Sequence, residues 1–319
     1  MSVKITYSPS YTIVPTYECF NQCSYCNFRV QPGTDNWLSL DQAKTILHQL
    51  DSIEILILSG EVHPQSQRRS AWLQRIYALC HLALQKGFLP HTNAGPLSFE
   101  EMETLKQVNV SMGLMLEQLS PRLLKNIHRN SPSKHPAVRL QQLHWAGKLK
   151  IPFTTGLLLG IGETETDWEE TLTAISTIHK QYGHIQEVIL QPHQPGKRQQ
   201  SPGSPCDDQM LLQAVKIARN LLPQDIAIQI PPNLVKTTDM ILACLDAGAM
   251  DLGGIGPIDE VNPNYLHHSL KTLTTLLETY GYRLQPRLPI YPQYDNWLPH
   301  PLKKRVQSWR TRLNLEITS

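Results

Sequence analysis

The feature that most constrains this chain is the alternation of β-rich apolar runs with amphipathic, helix-like segments along most of its 319 residues. Such alternation is typical of βαβ units, in which a helix joins successive parallel strands. We expect strands over 11–17, 53–59, 88–93, 108–116, 153–159, 187–191, 225–230 and 250–255. Helices are expected over 39–50, 68–86, 98–107, 134–149, 165–182, 207–222, 234–247 and 264–280.

Eight such units would close a (β/α)8 barrel of the TIM type, whose active site lies at the carboxyl ends of the strands. An open, doubly wound sheet is the alternative, because periodicity alone does not distinguish the two folds. We expect the barrel to occupy residues 1–281. Residues 282–319 are rich in proline and aromatic residues. The prolines exclude a regular helix in the first part of this segment, and one helix is expected over 303–314. This C-terminal extension is expected to pack on the outside of the barrel or across one end.

Composition limits the kind of protein. Hydrophobic residues make up 40% and charged residues 18% of the chain, as in globular enzymes. A net charge of +2 gives no reason to expect nucleic acid as a partner. No apolar run approaches the roughly 18 residues of a spanning helix, and residues 1–10 do not have the pattern of a secretory signal. We therefore expect a cytoplasmic protein without a membrane partner.

Three of the six cysteines, Cys19, Cys23 and Cys26, lie on one short loop after the first predicted strand. Their thiolates can converge on one metal centre, and thiolates suit zinc, copper(I) or iron–sulfur clusters. Structural zinc usually has four protein ligands, and no fourth Cys or His follows at a suitable spacing. The motif therefore favours a 4Fe–4S cluster with one iron left open. A zinc site completed by a distant His, or thiols without a ligand, are the alternatives. Cys80 and Cys244, in apolar helical segments, are expected to be inert core thiols.

With Tyr25 just before its third cysteine, the loop resembles the cluster loop of radical S-adenosylmethionine enzymes. Ser59-Gly60-Glu61 resembles the motif that contacts the methionine amino group in that superfamily, and Gly160-Ile161-Gly162 resembles its glycine motif beside the adenine. Glu117 corresponds to a carboxylate on the ribose hydroxyls, and Arg139 to an arginine that pairs with the methionine carboxylate. The resemblance implies one 4Fe–4S cluster per chain, with three cysteine ligands and an open iron for S-adenosylmethionine.

Each of these residue types suits its implied role, and each also has an ordinary structural explanation. Glycine lets the backbone approach a planar ring closely, a carboxylate binds an ammonium by charge-assisted hydrogen bonds, and a guanidinium matches a carboxylate. The alternatives are a turn glycine, an exposed carboxylate after a strand, and a surface arginine.

A narrower resemblance extends from about Tyr11 to Tyr291 and is to the G subunits of deazaflavin synthase. It is carried by His91-Thr92-Asn93-Ala94-Gly95, the segments 110–117, 160–164 and 182–188, Pro231-Pro232-Asn233-Leu234, and Gly253-Gly254-Ile255-Gly256-Pro257. The family implies a partner H subunit, itself a radical enzyme, that joins a tyrosine-derived hydroxybenzyl group to a ribitylaminouracil. The G subunit then abstracts hydrogen from this adduct with a deoxyadenosyl radical, and the third ring closes with loss of ammonia. An external electron donor is also implied.

The substrate side is where this sequence departs from the family. The departures are Val62-His63-Pro64, the segment 192–196, and Gly256 in place of a common serine. On the barrel hypothesis we expect His91, Thr92 and Asn93, at the third strand, and Asp251, at the eighth, to lie on the same rim as the cysteine loop. Their short polar side chains could bind the uracil edge and ribityl hydroxyls of the adduct, or could only cap the next turn.

Two other hypotheses stay open on the sequence. One is a different radical reaction on the same scaffold, of the menaquinone-route or biotin-synthase-like type, because fold and cosubstrate do not define the substrate. The other is a zinc-stabilised binding protein without catalysis.

Overall fold

The computed structural model of the chain describes residues 2–199 and 205–315. Within these residues eight parallel strands close a barrel, which confirms the (β/α)8 prediction over the open sheet. The strands, in order around the barrel, are β1 (Val3–Ile13), β2 (Glu54–Leu58), β3 (Leu89–Asn93), β4 (Ser111–Gly113), β5 (Phe153–Leu159), β6 (Ile185–Pro192), β7 (Ala227–Gln229) and β8 (Asp251–Ile255). The barrel is closed because β1 pairs with both β2 and β8.

Helices pack around the barrel and join its strands. They are α1 (Leu40–His48), α2 (Arg69–Gln85), α3 (Phe99–Lys106), α4 (Pro121–Lys125), α5 (Pro136–Lys148), α6 (Glu165–Tyr182), α7 (Asp208–Leu221), α8 (Thr238–Asp246), α9 (Leu270–Thr279) and α10 (His300–Arg312). Helices α1, α3 and α6 begin with capping boxes, in which the N-cap residue and the third helical residue bond to each other's backbone. None of the described helices is both long and apolar enough to cross a membrane.

Strand β1 differs from the expected strand at 11–17. It begins at Val3 and ends at Ile13, so that residues 14–17 already belong to the loop that follows. Pro9 lies inside the strand although it has no amide hydrogen, and its carbonyl accepts a hydrogen bond from Ile53 N at 2.9 Å. An internal proline weakens the strand pattern. Because β1 is long, it pairs with three strands, two of which are β2 and β8.

The third of these is β9 (Tyr282–Pro286), which pairs in parallel with Val3–Tyr7 of β1. A 3₁₀ turn (Pro292–Trp297) and α10 follow it. Apolar side chains of this extension form a cluster with residues at the amino ends of β2, β3 and β4; its members include Leu288, Ile290, Tyr294, Leu302, Val306, Ile53, Leu89 and Val110. The extension therefore packs against the amino end of the barrel, opposite the end that carries the cysteine loop.

Candidate active site

The cysteine loop lies at the carboxyl end of the barrel, where Cys19, Cys23 and Cys26 line one cavity. The loop is anchored on both sides, since Cys19 N donates to Val30 O and Ser24 N donates to Ile127 O, each at 3.2 Å. We call this space the cysteine cavity. It brings together most of the predicted cluster and cosubstrate residues: besides the three cysteines, its walls include Tyr25, Ser59, Gly60, Glu61, Asn93, Glu117 and Arg139.

Glu18, directly before the first cysteine, organises the start of the loop and was not expected from the sequence. Its buried carboxylate accepts hydrogen bonds from Gly33 N at 2.7 Å and Asp35 N at 3.1 Å. It also pairs with Arg68 at 2.7 Å. Burial alone would raise the pKa of Glu18, but the hydrogen bonds from Trp37 and the two amides hold it below its usual value. The Glu18 carboxylate thus holds the backbone of residues 33–35 against the start of the cysteine loop.

The three thiols form a soft donor set suited to an iron–sulfur cluster. All three are free, and Cys23 is buried while the other two are half-buried. Burial and the nearby Glu61 carboxylate raise the pKa of the Cys19 thiol to about 12. In the part of the chain that the structure describes, no three His, Cys, Asp or Glu side chains surround the position of a single metal ion. A 4Fe–4S cluster has a different requirement, because each of its thiolate ligands binds a different iron.

Glu61, at the end of β2, is held rigidly in the wall of the cysteine cavity. Its carboxylate accepts hydrogen bonds from Asn21 Nδ2 at 2.8 Å and from the Ser133 hydroxyl. Its other oxygen lies 3.3 Å from the Arg139 guanidinium. Arg139 is fully buried and also donates to the carbonyls of Ser133 and Met115. The arginine therefore holds Glu61 in place as well as facing the cavity.

Glu117 forms a second fixed carboxylate in the same cavity. Its backbone φ is +64°, a left-handed conformation that is rare for residues with a side chain. The carboxylate accepts from the Tyr25 hydroxyl at 2.6 Å, pairs with Lys134 and lies 3.3 Å from His128 Nε2. Burial alone would raise the pKa of Glu117, but Lys134, His128 and Arg139 lower it well below its usual range. Glu117 is therefore ionised, and Lys134 and His128 are site residues that the sequence did not indicate.

Gly160 and Gly162 lie apart from this constellation. Both have positive φ, at +89° and +102°, so each needs the freedom of glycine for backbone reasons alone. Gly160 N and Ile161 N donate to the Glu163 carboxylate at 2.6 and 2.8 Å. A Cβ on Gly160 would lie 2.9 Å from Cys206 N. Neither glycine is among the described residues that line the cysteine cavity.

A second cavity fills the barrel lumen, and Leu58, Asn93, Met115, Gln191 and Val261 border both spaces. Asn93, at the end of β3, therefore lies at the junction of the two cavities. His91 faces the lumen two residues deeper, with Nδ1 2.7 Å from the Ser111 hydroxyl. Burial and the charge of Arg287 lower the pKa of His91 to about 3, so this imidazole is neutral.

The expectation that Thr92 and Asp251 lie on this rim is wrong. Thr92 points outward and donates to Asn109 Oδ1 at 2.8 Å, because successive strand residues face opposite sides of a sheet. Asp251 is the first residue of β8 and lies near the amino end of the barrel. It is fully buried in a bidentate ion pair with Arg287, at 2.6 and 2.9 Å.

Sequence comparison agrees with this geometry. A profile of the Radical SAM superfamily, named for S-adenosylmethionine, matches residues 13–175. The 7,8-didemethyl-8-hydroxy-5-deazariboflavin synthase of Trichodesmium erythraeum (strain IMS101) is 60% identical over 318 residues, which are 99% of this chain and 100% of that relative. The chain belongs to the radical SAM superfamily, in the deazariboflavin synthase family.

A second synthase supports the family assignment, and two solved structures share the fold. The synthase of the same name from Trichormus variabilis (strain ATCC 29413 / PCC 7937) is 61% identical over 96% of this chain and 91% of that relative. The crystal structure of HydG, a maturase of the FeFe-hydrogenase, covers 96% of this chain and 69% of its own, with a TM-score of 0.72 and 14% identity. Methylornithine synthase covers 88% and 83%, with a TM-score of 0.68 and 15% identity. At these identities the two structures show the shared barrel alone.

Proposed function

We propose that this chain catalyses the radical ring closure that forms a deazaflavin. The substrate is 5-amino-5-(4-hydroxybenzyl)-6-(D-ribitylimino)-5,6-dihydrouracil, called the adduct below, and the product is 7,8-didemethyl-8-hydroxy-5-deazariboflavin. A deoxyadenosyl radical takes a hydrogen atom from the adduct, ring closure expels ammonia, and the remaining radical loses one proton and one electron, which the oxidised 4Fe–4S cluster would accept. The loss of ammonia makes the enzyme a lyase. The observation that carries this proposal is the identity of 60% with a synthase of that name across 99% of the chain.

The proposed cofactors are one 4Fe–4S cluster per chain and S-adenosylmethionine as cosubstrate. Cys19, Cys23 and Cys26 would ligate three irons and leave the fourth for the cosubstrate. When bound, the cluster supplies the electron, taken from an external donor, that cleaves S-adenosylmethionine to methionine and the deoxyadenosyl radical. The shared cavity of the three thiols supports this arrangement.

The remaining residues of the cysteine cavity would bind the cosubstrate. The fixed carboxylate of Glu61 suits the methionine ammonium, and the ionised Glu117 suits the ribose hydroxyls. Arg139 already donates three hydrogen bonds to the protein, so we propose that it attracts the methionine carboxylate by its charge while it positions Glu61. The family resemblance adds Tyr25, Ser59 and Gly60, which line the same cavity. It also adds Gly160 and Gly162, which lie outside that lining and would contact the cosubstrate only at its adenine end.

The adduct would occupy the lumen, within reach of the cysteine cavity, where Asn93 and His91 offer hydrogen bonds. We propose that a separate H subunit supplies the adduct. We also propose that the protein acts in the cytoplasm, because a reducing compartment keeps cluster-binding thiols free.

The test is product analysis after anaerobic incubation of the reconstituted protein with S-adenosylmethionine, a reductant and the adduct. The expected result is deazaflavin, deoxyadenosine and ammonia from the wild type and from Cys244→Ala, since Cys244 is buried in α8 away from the site. The Cys19→Ala variant should lack an intact 4Fe–4S cluster and form none of the three. Stoichiometric zinc in place of iron and sulfide in the wild type would refute the proposal.

A further inference from the structure

One wall of the lumen is almost free of residues that also border the cysteine cavity. This β7–β8 wall consists of a 3₁₀ turn after β7 (Pro232–Leu234) and the segment 256–267 after β8. It faces the lumen, and apart from Val261 none of its described residues borders the cysteine cavity. The proposed cluster and cosubstrate residues of the cysteine cavity follow β1, β2 and β4 or lie in α5, so this wall is available to the substrate.

Asn233, in that turn, presents a fixed and unused hydrogen-bond acceptor. Its side-chain nitrogen donates to Asp259 Oδ2 at 2.9 Å and to the carbonyl of Tyr265 at 3.1 Å, which fixes the orientation of the amide. Asn233 is only 8% exposed, and its Oδ1 has no hydrogen-bond partner among the described residues. A buried acceptor without a partner is costly and calls for an explanation. An amide oxygen can only accept, so its missing partner must be a hydrogen-bond donor.

His267 Nδ1, on the same wall, is a second buried polar atom without a partner among the described residues. Burial lowers the pKa of His267, although Asp259 opposes the shift and His268 adds to it. The neutral ring carries either a donor or an acceptor at Nδ1. The wall thus offers Asn233 Oδ1, which can only accept a hydrogen bond, and His267 Nδ1, which can donate or accept one.

The chemistry around these atoms favours a flat heterocycle over a polyhydroxyl chain. The lumen lining that includes Asn233 also includes the apolar residues Pro231, Leu234, Leu252 and Ile258. The two carboxylates of this wall, Asp259 and Glu260, are already bonded to Asn233 and to the Tyr17 hydroxyl. Glu54, Glu187 and Arg287, which suit several hydroxyls, line the amino end of the lumen. An imide edge is planar and presents one N–H between two carbonyls.

Resting on the function proposed above, we infer that Asn233 is a specificity-determining residue whose Oδ1 accepts a hydrogen bond from the imide N–H of the substrate's uracil-derived ring. His267 Nδ1 faces the same ring edge and donates to an adjacent carbonyl. The ribityl chain then extends toward Glu54 and Arg287 at the amino end of the lumen. The hydroxybenzyl group is left to face the cysteine cavity.

Calorimetric titration of the reconstituted protein, without S-adenosylmethionine, separates these contacts. The ligands are the adduct, an adduct methylated on its imide nitrogen, and an adduct lacking one ribityl hydroxyl. Asn233→Ala should weaken binding of the adduct about 10- to 100-fold, as expected when a buried hydrogen bond to a ligand is lost. Methylation should weaken wild-type binding by a similar factor but cost the Asn233→Ala variant less than about threefold. Loss of the hydroxyl should weaken both proteins equally.

The matched control is Asn262→Ala. Asn262 Nδ2 also bonds to Asp259 Oδ2, at 3.2 Å, so its loss loosens the same carboxylate while the Asn233 oxygen remains. This variant should keep the full methylation penalty. An undiminished methylation penalty in Asn233→Ala, or a hydroxyl penalty that vanishes there, would overturn the inference. Product formation by the wild type is measured separately: if the adduct binds with the expected pattern but is not converted, the proposed function fails and the assignment of Asn233 stands.

Discussion

The substitution Gly95→Ala isolates the position of Glu61 without changing any charged residue. Gly95 follows β3 with a φ of +79°, and a Cβ there would overlap the Glu61 side chain. The variant must therefore displace the Glu61 carboxylate. That carboxylate is now placed by Asn21, by the Ser133 hydroxyl and by Arg139.

Two costs add in this variant. An alanine in the left-handed region costs about 1–2 kcal/mol of folding free energy. Displacing Glu61 should remove a charge-assisted hydrogen bond to the cosubstrate, worth about 1.5–3 kcal/mol, or roughly 10- to 150-fold in affinity. Gly183→Ala is the matched control: its φ is +66°, but no described atom lies within 4 Å of the added Cβ. It should show the first cost and not the second.

The measurements are urea unfolding and anaerobic calorimetric titration with S-adenosylmethionine, on proteins of equal iron and sulfide content. We expect both variants to lose stability and only Gly95→Ala to lose cosubstrate affinity. If Gly95→Ala binds S-adenosylmethionine as tightly as the wild type, the position of Glu61 does not matter for binding. An equal loss of affinity in Gly183→Ala would attribute the effect to backbone strain.

Two further predictions concern buried ionisable groups. Burial lowers the pKa of His184 to about 3. Below the usual histidine pKa near 6.5, the unfolded chain therefore binds a proton at this residue while the folded protein does not. His184→Leu should reduce the loss of unfolding free energy between pH 7 and pH 5 by about 2 kcal/mol, and an unchanged pH profile would contradict this. Arg287→Met leaves the fully buried Asp251 without its partner and should cost about 3–5 kcal/mol. Adding Asp251→Asn should restore part of that loss, and a further loss in the double variant would show that the ion pair is not the reason.

The βα alternation was predictable because each helix and strand carries its own periodic pattern. The limits of the strands were not, because they depend on pairing. Strands over 108–116 and 225–230 were expected, but only Ser111–Gly113 and Ala227–Gln229 are paired as strands. β9 was missed because it exists only through its pairing with the amino half of β1, which the sequence pattern did not assign to a strand.

The candidate site was predictable where a local motif carries it. The three cysteines and Glu61 lie in short motifs at the ends of predicted strands. Lys134 and His128 carry no such motif, and they matter because folding brings both to the buried Glu117, where Lys134 supplies compensating charge and His128 a hydrogen bond. Glu18 was missed for a similar reason: its carboxylate binds backbone amides of Gly33 and Asp35, which only folding brings close to it.

The position of Asp251, which differs from the one expected from the sequence, also explains why the C-terminal extension is part of the barrel. Arg287, which follows β9, reaches into the lumen, pairs with Asp251 and lies 2.5 Å from Glu187. Burial raises the pKa of Glu187 and of Glu54, whereas Arg287 lowers the pKa of Asp251 against the effect of burial, so the arginine stabilises the charge of Asp251. A chain ending at residue 281 would leave this charge buried and unpaired, at a cost of several kcal/mol. The barrel and its extension are therefore expected to fold as one unit, although the extension lies at the end of the barrel opposite the cysteines.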